Sequence, residues 1–169
     1  MNNVKPSLII KKEIIDYFLA FGALIVLMAT WGYTIYHFNK LPDVIATHFD
    51  LSGKPNGFGS KNTIWLLPLI ITLVFILISV LNRYPHKFNY LTKITEQNAY
   101  KQYKLASRSL RIILFNITLL FAFITFKEID GAYTKSSALE WWFIPLLLCS
   151  TIIPTFYMIV VSGSKKYNS

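Results

Sequence analysis

The sequence predicts an all-α integral membrane protein: a four-transmembrane-helix bundle with a structured outer loop and a basic amphipathic inner helix. Three observations predict it. Four long apolar stretches occupy much of a chain of 169 residues. Only 15% of the residues are charged, where a soluble domain carries about 25%. Those charges fall almost entirely between the apolar stretches. The formal charge of +9 would suggest nucleic acid in a soluble protein, but basic loops are how a membrane protein sets its orientation. Direct nucleic-acid binding is therefore not expected.

A helix needs roughly 20 residues to cross the hydrocarbon core. The first predicted span covers about residues 17–36, after a cytoplasmic segment over 1–16. It follows Lys5, Lys11 and Lys12, as a signal peptide would. It is too long for a signal peptide's apolar region and no small-residue cleavage site follows, so it reads as a retained span. The second covers about 63–82 and contains fourteen Leu, Ile, Val or Phe residues. At about −0.3 to −0.6 kcal/mol each near the centre, they favour insertion by roughly 4 to 8 kcal/mol. Pro68 is expected to bend it near its start. The third, 109–126, is short: about fifteen residues between Arg111 and Lys127 rise only roughly 22 Å, so Arg108 and Arg111 are expected to snorkel to the headgroups. The fourth, 139–161, opens with Trp141 and Trp142 at the expected aromatic belt, contains Pro145 and Pro154, and ends before a tail over 162–169. Cys149, the single cysteine, falls within it and excludes an intramolecular disulfide.

Orientation follows from the basic residues. The N-terminus, the inner loop (83–108) with Arg111 just beyond it, and the C-terminus together hold twelve Lys and Arg, against five in the outer loops 37–62 and 127–138. Both termini are therefore expected in the cytoplasm. No Asp, Glu, Lys, Arg or His is expected mid-span, which argues against an ion-coupled transporter. Asn116 is the one strongly polar mid-span side chain, expected to bond a neighbouring helix.

The first outer loop reads NKLPDVIATHFDLSGKPNGFGSKN and holds three of the seven glycines and two of the seven prolines. Ser52-Gly53 and Asn56-Gly57 are turn signals. Residues 44–49 suit a short strand, which would place His48 and Asp50 on one face. Two same-face ligands, with Asp43 or His37 nearby, make the start of a metal or acid–base site. No H-E-x-x-H or cysteine pair completes a set. A compact cap, with His48 and Asp50 bonded to the loop itself, is the favoured reading, and neither a metal nor another cofactor is expected. No phosphate-cradling glycine motif is present.

This loop resembles the signature of the SdpI-like bacterial membrane proteins, of which the chain looks like a short member carrying the N-terminal domain of unknown function over residues 17–126. The family pattern runs Leu-Pro-Asp, Ile-Pro, His-Phe-Asn, Gly, then Asp-Gly before a Ser/Pro-Lys. Leu41, Pro42, Asp43, Ile45, His48, Phe49, Gly53, Gly57, Ser60 and Lys61 match it. Ala46, Asp50 and Asn56 depart from it, which weakens any catalytic role for a particular carboxylate. The inner-loop run containing Asn89, Tyr90, Thr95, Glu96, Asn98 and Tyr103 is similar to a second family stretch. The resemblance implies a non-catalytic, multi-pass protein of the bacterial inner membrane, giving immunity to, or sensing, a membrane-active peptide toxin at its outer face.

In the inner loop, Thr95 can cap a helix beginning at Glu96, whose charge suits the first turn. Lys101, Lys104, Arg108 and Arg111 then recur on one face, with Ala99, Tyr103, Ala106 and Leu110 opposite. The helix is expected to run directly into the third span. Its basic stripe suits anionic headgroups at about 1 kcal/mol per residue, with a cytoplasmic regulator as the alternative partner. Three function classes follow: a binding or immunity protein, a signalling scaffold that recruits a cytoplasmic factor, and a metal-dependent membrane enzyme using His48 and Asp50.

Overall fold

The computed structural model describes residues 5–50, 52, 54–134 and 142–164. Gly53, Lys135, Trp141, Lys165 and Lys166 lie outside the described residues. Helix α1 (Ile14–Phe38) leads into an antiparallel hairpin of β1 (Val44–Phe49) and β2 (Pro55–Ser60). A 3-10 turn over Lys61–Trp65 feeds α2 (Leu66–Leu81). After an irregular segment come α3 (Ala99–Thr134) and α4 (Phe143–Ser162). The chain is mostly helical, and α3 is its axle: α1, α2 and α4 all pack on it.

Three helices, Ile14–Phe38, Lys61–Leu81 and Ala99–Thr134, are long and apolar enough to cross a membrane, while α4 offers a shorter apolar stretch over Leu148–Ser162. Their burial pattern is compatible with membrane spans. Large apolar side chains such as Phe18, Ile25, Met28, Leu73 and Leu77 point outward, whereas Ala23, Thr30, Thr34, Ser107, Thr118 and Thr125 are buried. Lipid is as apolar as leucine, so small residues that let backbones approach gain more at the interfaces. The buried threonines also bond within their own helices, as Thr34 to Thr30 O (2.9 Å) and Thr118 to Leu114 O (2.8 Å).

Polar side chains join the helices. Trp31 Nε1 on α1 donates to Thr72 Oγ1 on α2 at 2.9 Å. Asn116 Nδ2 on α3 donates to Ser150 O on α4 at 2.7 Å. The second bond has a local cause. Pro154 lies within α4, four residues after Ser150, and has no N–H to give that carbonyl. Asn116 supplies the missing donor. Pro68 sits in the first turn of α2, where its missing N–H costs little.

The helix that carries the third predicted span, 109–126, extends beyond it, unbroken through Lys127 to Thr134. At 1.5 Å per residue, 36 residues rise roughly 54 Å, so the shortness read from the charges disappears. Thr125, Glu128, Ile129 and Gly131 continue the buried face, which is why Lys127 fails to end it. Charged groups also enter the helices: Asp16 and Glu128 are 2% and 9% exposed. Asp16 stands in the first turn of α1 and Glu128 near the end of α3, outside the predicted spans 17–36 and 109–126, so neither is a mid-span charge.

Candidate functional site

At one end of the bundle the hairpin is fixed to the helices by a small core of Leu41, Ile45, Ile64 and Ile129, with Tyr33, Phe38, Trp65 and Ala132 packed against it. Trp65 stacks on Trp31 at 6.0 Å and meets Phe38 at 4.8 Å. The hairpin base is closed by an Asp43–Lys61 ion pair at 3.0 Å and by Lys61 N donating to Asp43 O at 2.9 Å. The loop motif is thus brought together, with Leu41 in the core and Pro42 exposed.

The turn is built on Asp50. Its Oδ1 accepts from Ser52 N (2.8 Å), Ser52 Oγ (2.7 Å) and Lys54 N (3.0 Å). The Ser52 hydroxyl, then the Lys54 amide, hold this carboxyl below its ordinary range. Behind the turn, Phe49 pairs with Pro55 and His48 with Gly57, with register irregularities on both sides of His48. The His48 ring Nδ1 is bonded to Asn56 Oδ1. The Asn56-Gly57 turn signal is therefore corrected: both residues lie within β2. The glycine serves a close approach instead, since a Cβ at Gly57 would come within 2.9 Å of His48 Cβ.

His48 and Asp50 are each engaged by the hairpin's own groups. His37 lies in α1, bonded through Nδ1 to Tyr133 Oη at 3.0 Å and packed on Tyr33 at 4.3 Å. Among the described residues, no group of three or more His, Cys, Asp or Glu side chains is placed to hold a metal ion. What the hairpin offers outward is different: Val44 and Phe58 are 61% and 66% exposed, and Asn56 and Ser60 share the outer side of β2.

The opposite end is basic. Here the stripe on α3 is directed into the protein rather than left for the bilayer. Lys104 and Arg108 both pair with Glu13, which the Lys104 and Arg108 hydrogen bonds keep below its ordinary range. Arg108 also donates to Asp16 through Nε (3.1 Å) and Nη2 (3.0 Å), and Arg111 through Nη1 (3.1 Å). The expected snorkelling of Arg108 and Arg111 to headgroups is corrected: a buried carboxylate on α1 receives them. Lys101 is exposed.

The inner-loop motif orders itself around an N-cap. Asn98 Oδ1 accepts from Thr95 N (2.9 Å), and Thr95 Oγ1 accepts from Asn98 N (3.3 Å). This reciprocal pair has the logic of a capping box. Asn98 Nδ2 also donates to Lys93 O at 3.0 Å. A turn follows and α3 proper starts at Ala99, with Glu96 exposed. Tyr90 donates to Pro85 O at 2.9 Å and packs on Tyr103 at 5.5 Å; burial pushes its hydroxyl up. Asn89 and Tyr90 line a cavity of about 310 Å³ between this loop, α3 and α4.

Three features escaped sequence reasoning. The N-terminal segment straps onto the inner loop, with Tyr103 donating to Pro6 O (3.0 Å) and Lys5 lying over the Tyr90 ring at 5.4 Å. Asp16 anchors the basic stripe; the available signal was a Glu13/Asp16 pair, three residues apart on a helix face. Glu128 is buried in α3, and the buried period Thr118, Thr125, Glu128 was its signal.

Comparison with known proteins adds a partial match. Residues 25–72 match a family described as a domain of unknown function, DUF1648. An uncharacterized protein from Archaeoglobus fulgidus is 32% identical over 74 residues, covering 39% of this chain and 40% of that protein. The chain thus spans about two-fifths of the length of that relative. No solved structure matches. The family match runs from mid-α1 through the hairpin into α2, so the stretch it recognises includes the hairpin and the helix segments that carry it.

Proposed function

We propose that this is a four-crossing membrane protein whose hairpin stands outside the cell as a recognition surface for a membrane-active peptide, giving immunity to it or sensing it. The inside-out burial supports the membrane reading. Twelve basic residues against five support placing the strap, the inner loop and both termini in the cytoplasm of a bacterial inner membrane. The fourth crossing then belongs to α4.

The observation that carries the recognition reading is a rigidly held hairpin with exposed apolar side chains. Ile45 and Leu41 fix its inner side to the helices at 2% and 4% exposure, while Val44 and Phe58 remain open. Preorganised apolar side chains lower the cost of binding, and a two-stranded sheet offers edges to an extended peptide. The resemblance to SdpI-like proteins supports the same class of partner. Recruitment of a cytoplasmic factor through the basic stripe is less favoured, because Glu13 and Asp16 already engage Lys104, Arg108 and Arg111. A metal-dependent reaction at His48 and Asp50 is less favoured because both are committed to the hairpin.

The test is survival of cells expressing the wild type or a Val44→Lys/Phe58→Lys double variant, challenged with a panel of membrane-active peptides. The wild type should protect against at least one peptide, and the double variant, present at equal membrane abundance, should not. Equal protection by both would refute the hairpin's role; protection by neither across the panel would refute the immunity reading.

A further inference from the structure

At the basic end lies a cavity of about 560 Å³, walled by the N-terminal strap, the end of α2 and α3. It is larger than the one beside Tyr90, and its chemistry is mixed in an ordered way. Lys12, Arg83 and Arg111 bring positive charge to its lining, which contains no Asp or Glu among the described residues. Ala20, Phe75 and Leu114 supply apolar wall from the helices themselves.

Between these regions sits Asn82. Its Nδ2 donates to Ser107 O at 3.1 Å, which fixes the amide orientation. Its Oδ1 is consequently an acceptor, and it is buried without a hydrogen-bond partner among the described residues. Both Asn82 and Ser107 line the cavity. Buried acceptors of this kind are rare and call for a donor. The site therefore presents cations for an anion and an apolar wall for a hydrocarbon chain, and holds in its wall a covered acceptor that a donor reaches once the Asn82 side chain turns toward the cavity.

We propose that this cavity binds the phosphodiester headgroup of an anionic phospholipid carrying a free hydroxyl, as phosphatidylglycerol does. The phosphate lies among Lys12, Arg83 and Arg111, the hydroxyl donates to Asn82 Oδ1, and an acyl chain follows Phe75 and Leu114. An ethanolamine ammonium could also donate to Asn82, but the three cations disfavour it, whereas a neutral hydroxyl meets no such repulsion. Basic pockets between helices at the cytoplasmic side are suited to such headgroups. Cations already paired with Asp16, as Arg111 is, arrive preoriented with donors to spare, since a guanidinium has five.

This inference rests on the membrane reading. The experiment separates the two by first asking whether alkaline carbonate releases the chain from membranes. Release overturns both. If the full chain stays in membranes, it is purified in a mild detergent and its binding of phosphatidylglycerol, phosphatidylethanolamine, phosphatidylcholine and inorganic phosphate is measured by native mass spectrometry. Phosphatidylglycerol should be retained about tenfold more than either zwitterionic lipid, the factor expected from one hydrogen bond that satisfies a buried acceptor. Asn82→Asp, which sets a carboxylate beside the phosphate, should abolish that preference. Arg83→Gln, at an exposed position that carries no fold contact argued above, should weaken it severalfold. Equal retention of the three lipids, or a preference unchanged in both variants, overturns the proposal. Binding of inorganic phosphate without lipid retention overturns the lipid assignment.

Discussion

Asp16→Ala is the perturbation that most directly tests how this bundle holds its charges. The Asp16 carboxylate accepts four hydrogen bonds, two on each oxygen: from Glu13 N (2.9 Å), Arg108 Nη2 (3.0 Å), Arg108 Nε (3.1 Å) and Arg111 Nη1 (3.1 Å). It is 2% exposed, while the side chains of Arg108 and Arg111 are 29% and 12% exposed. Removing one partner of a buried ion pair costs about 3–5 kcal/mol, because the other charge is left behind. The partly exposed arginines can move their heads toward water, so the lower end, about 3 kcal/mol, is expected. The assay is reversible unfolding of the purified chain in mixed micelles, followed by tryptophan fluorescence. A cycle with Arg108→Ala should give a coupling of at least about 1 kcal/mol. Glu13→Ala, which removes a half-exposed carboxylate from the same cluster, should cost clearly less. If Asp16→Ala falls within about 0.5 kcal/mol of wild type, as ordinary surface changes do, the arginines are stabilised by headgroups and the clamp is wrong.

Three further outcomes follow from named contacts. Asn116→Leu should cost about 0.6–1.7 kcal/mol in the same unfolding assay; Pro154→Ala should shrink that penalty by restoring an N–H for Ser150 O, and an unchanged penalty would reject the pairing. Gly57→Ala forces a Cβ to within 2.9 Å of His48 Cβ and should destabilise the hairpin by about 1–3 kcal/mol. Gly32→Ala, with nothing within 4 Å, should instead stabilise α1 by up to about 1 kcal/mol, and thermal shifts of equal sign would contradict the geometry. Because Asp50 is held below its ordinary value of 3.8, its contribution is present above that pH and is lost as pH falls through the lower folded value. Protection of the Ser52 and Lys54 amides, taken relative to their intrinsic exchange at each pH, should fall on acidification in the wild type, and Asp50→Asn should remove that fall; identical protection profiles would dismiss the turn assignment.

The apolar runs settled by themselves where helices can form, since about 20 consecutive apolar residues have few other stable arrangements. The extended segment over 44–49 was equally legible, because β-branched and aromatic residues there stand between turn formers. Its partner strand was not. Pro55-Asn-Gly-Phe-Gly-Ser carries the residues of a turn, and only pairing with β1 gives it a strand conformation, with Gly57 admitting the close approach of His48. The length of α3 was hidden for a related reason: Lys127 and Glu128 look like an exit from the bilayer, and only packing reveals that Glu128 and Ile129 remain on the buried face. Charges posed the same problem at the other end. Helical spacing placed Lys104, Arg108 and Arg111 on one side of α3, but spacing within one helix says nothing about what a second helix sets opposite. Local preference and hydropathy are properties of neighbouring residues, so the sequence alone determined the helices and the first strand. The partners of Asp16, Asn116 and Asn82 lie 92, 34 and 25 residues away along the chain, and only the packed bundle could decide them.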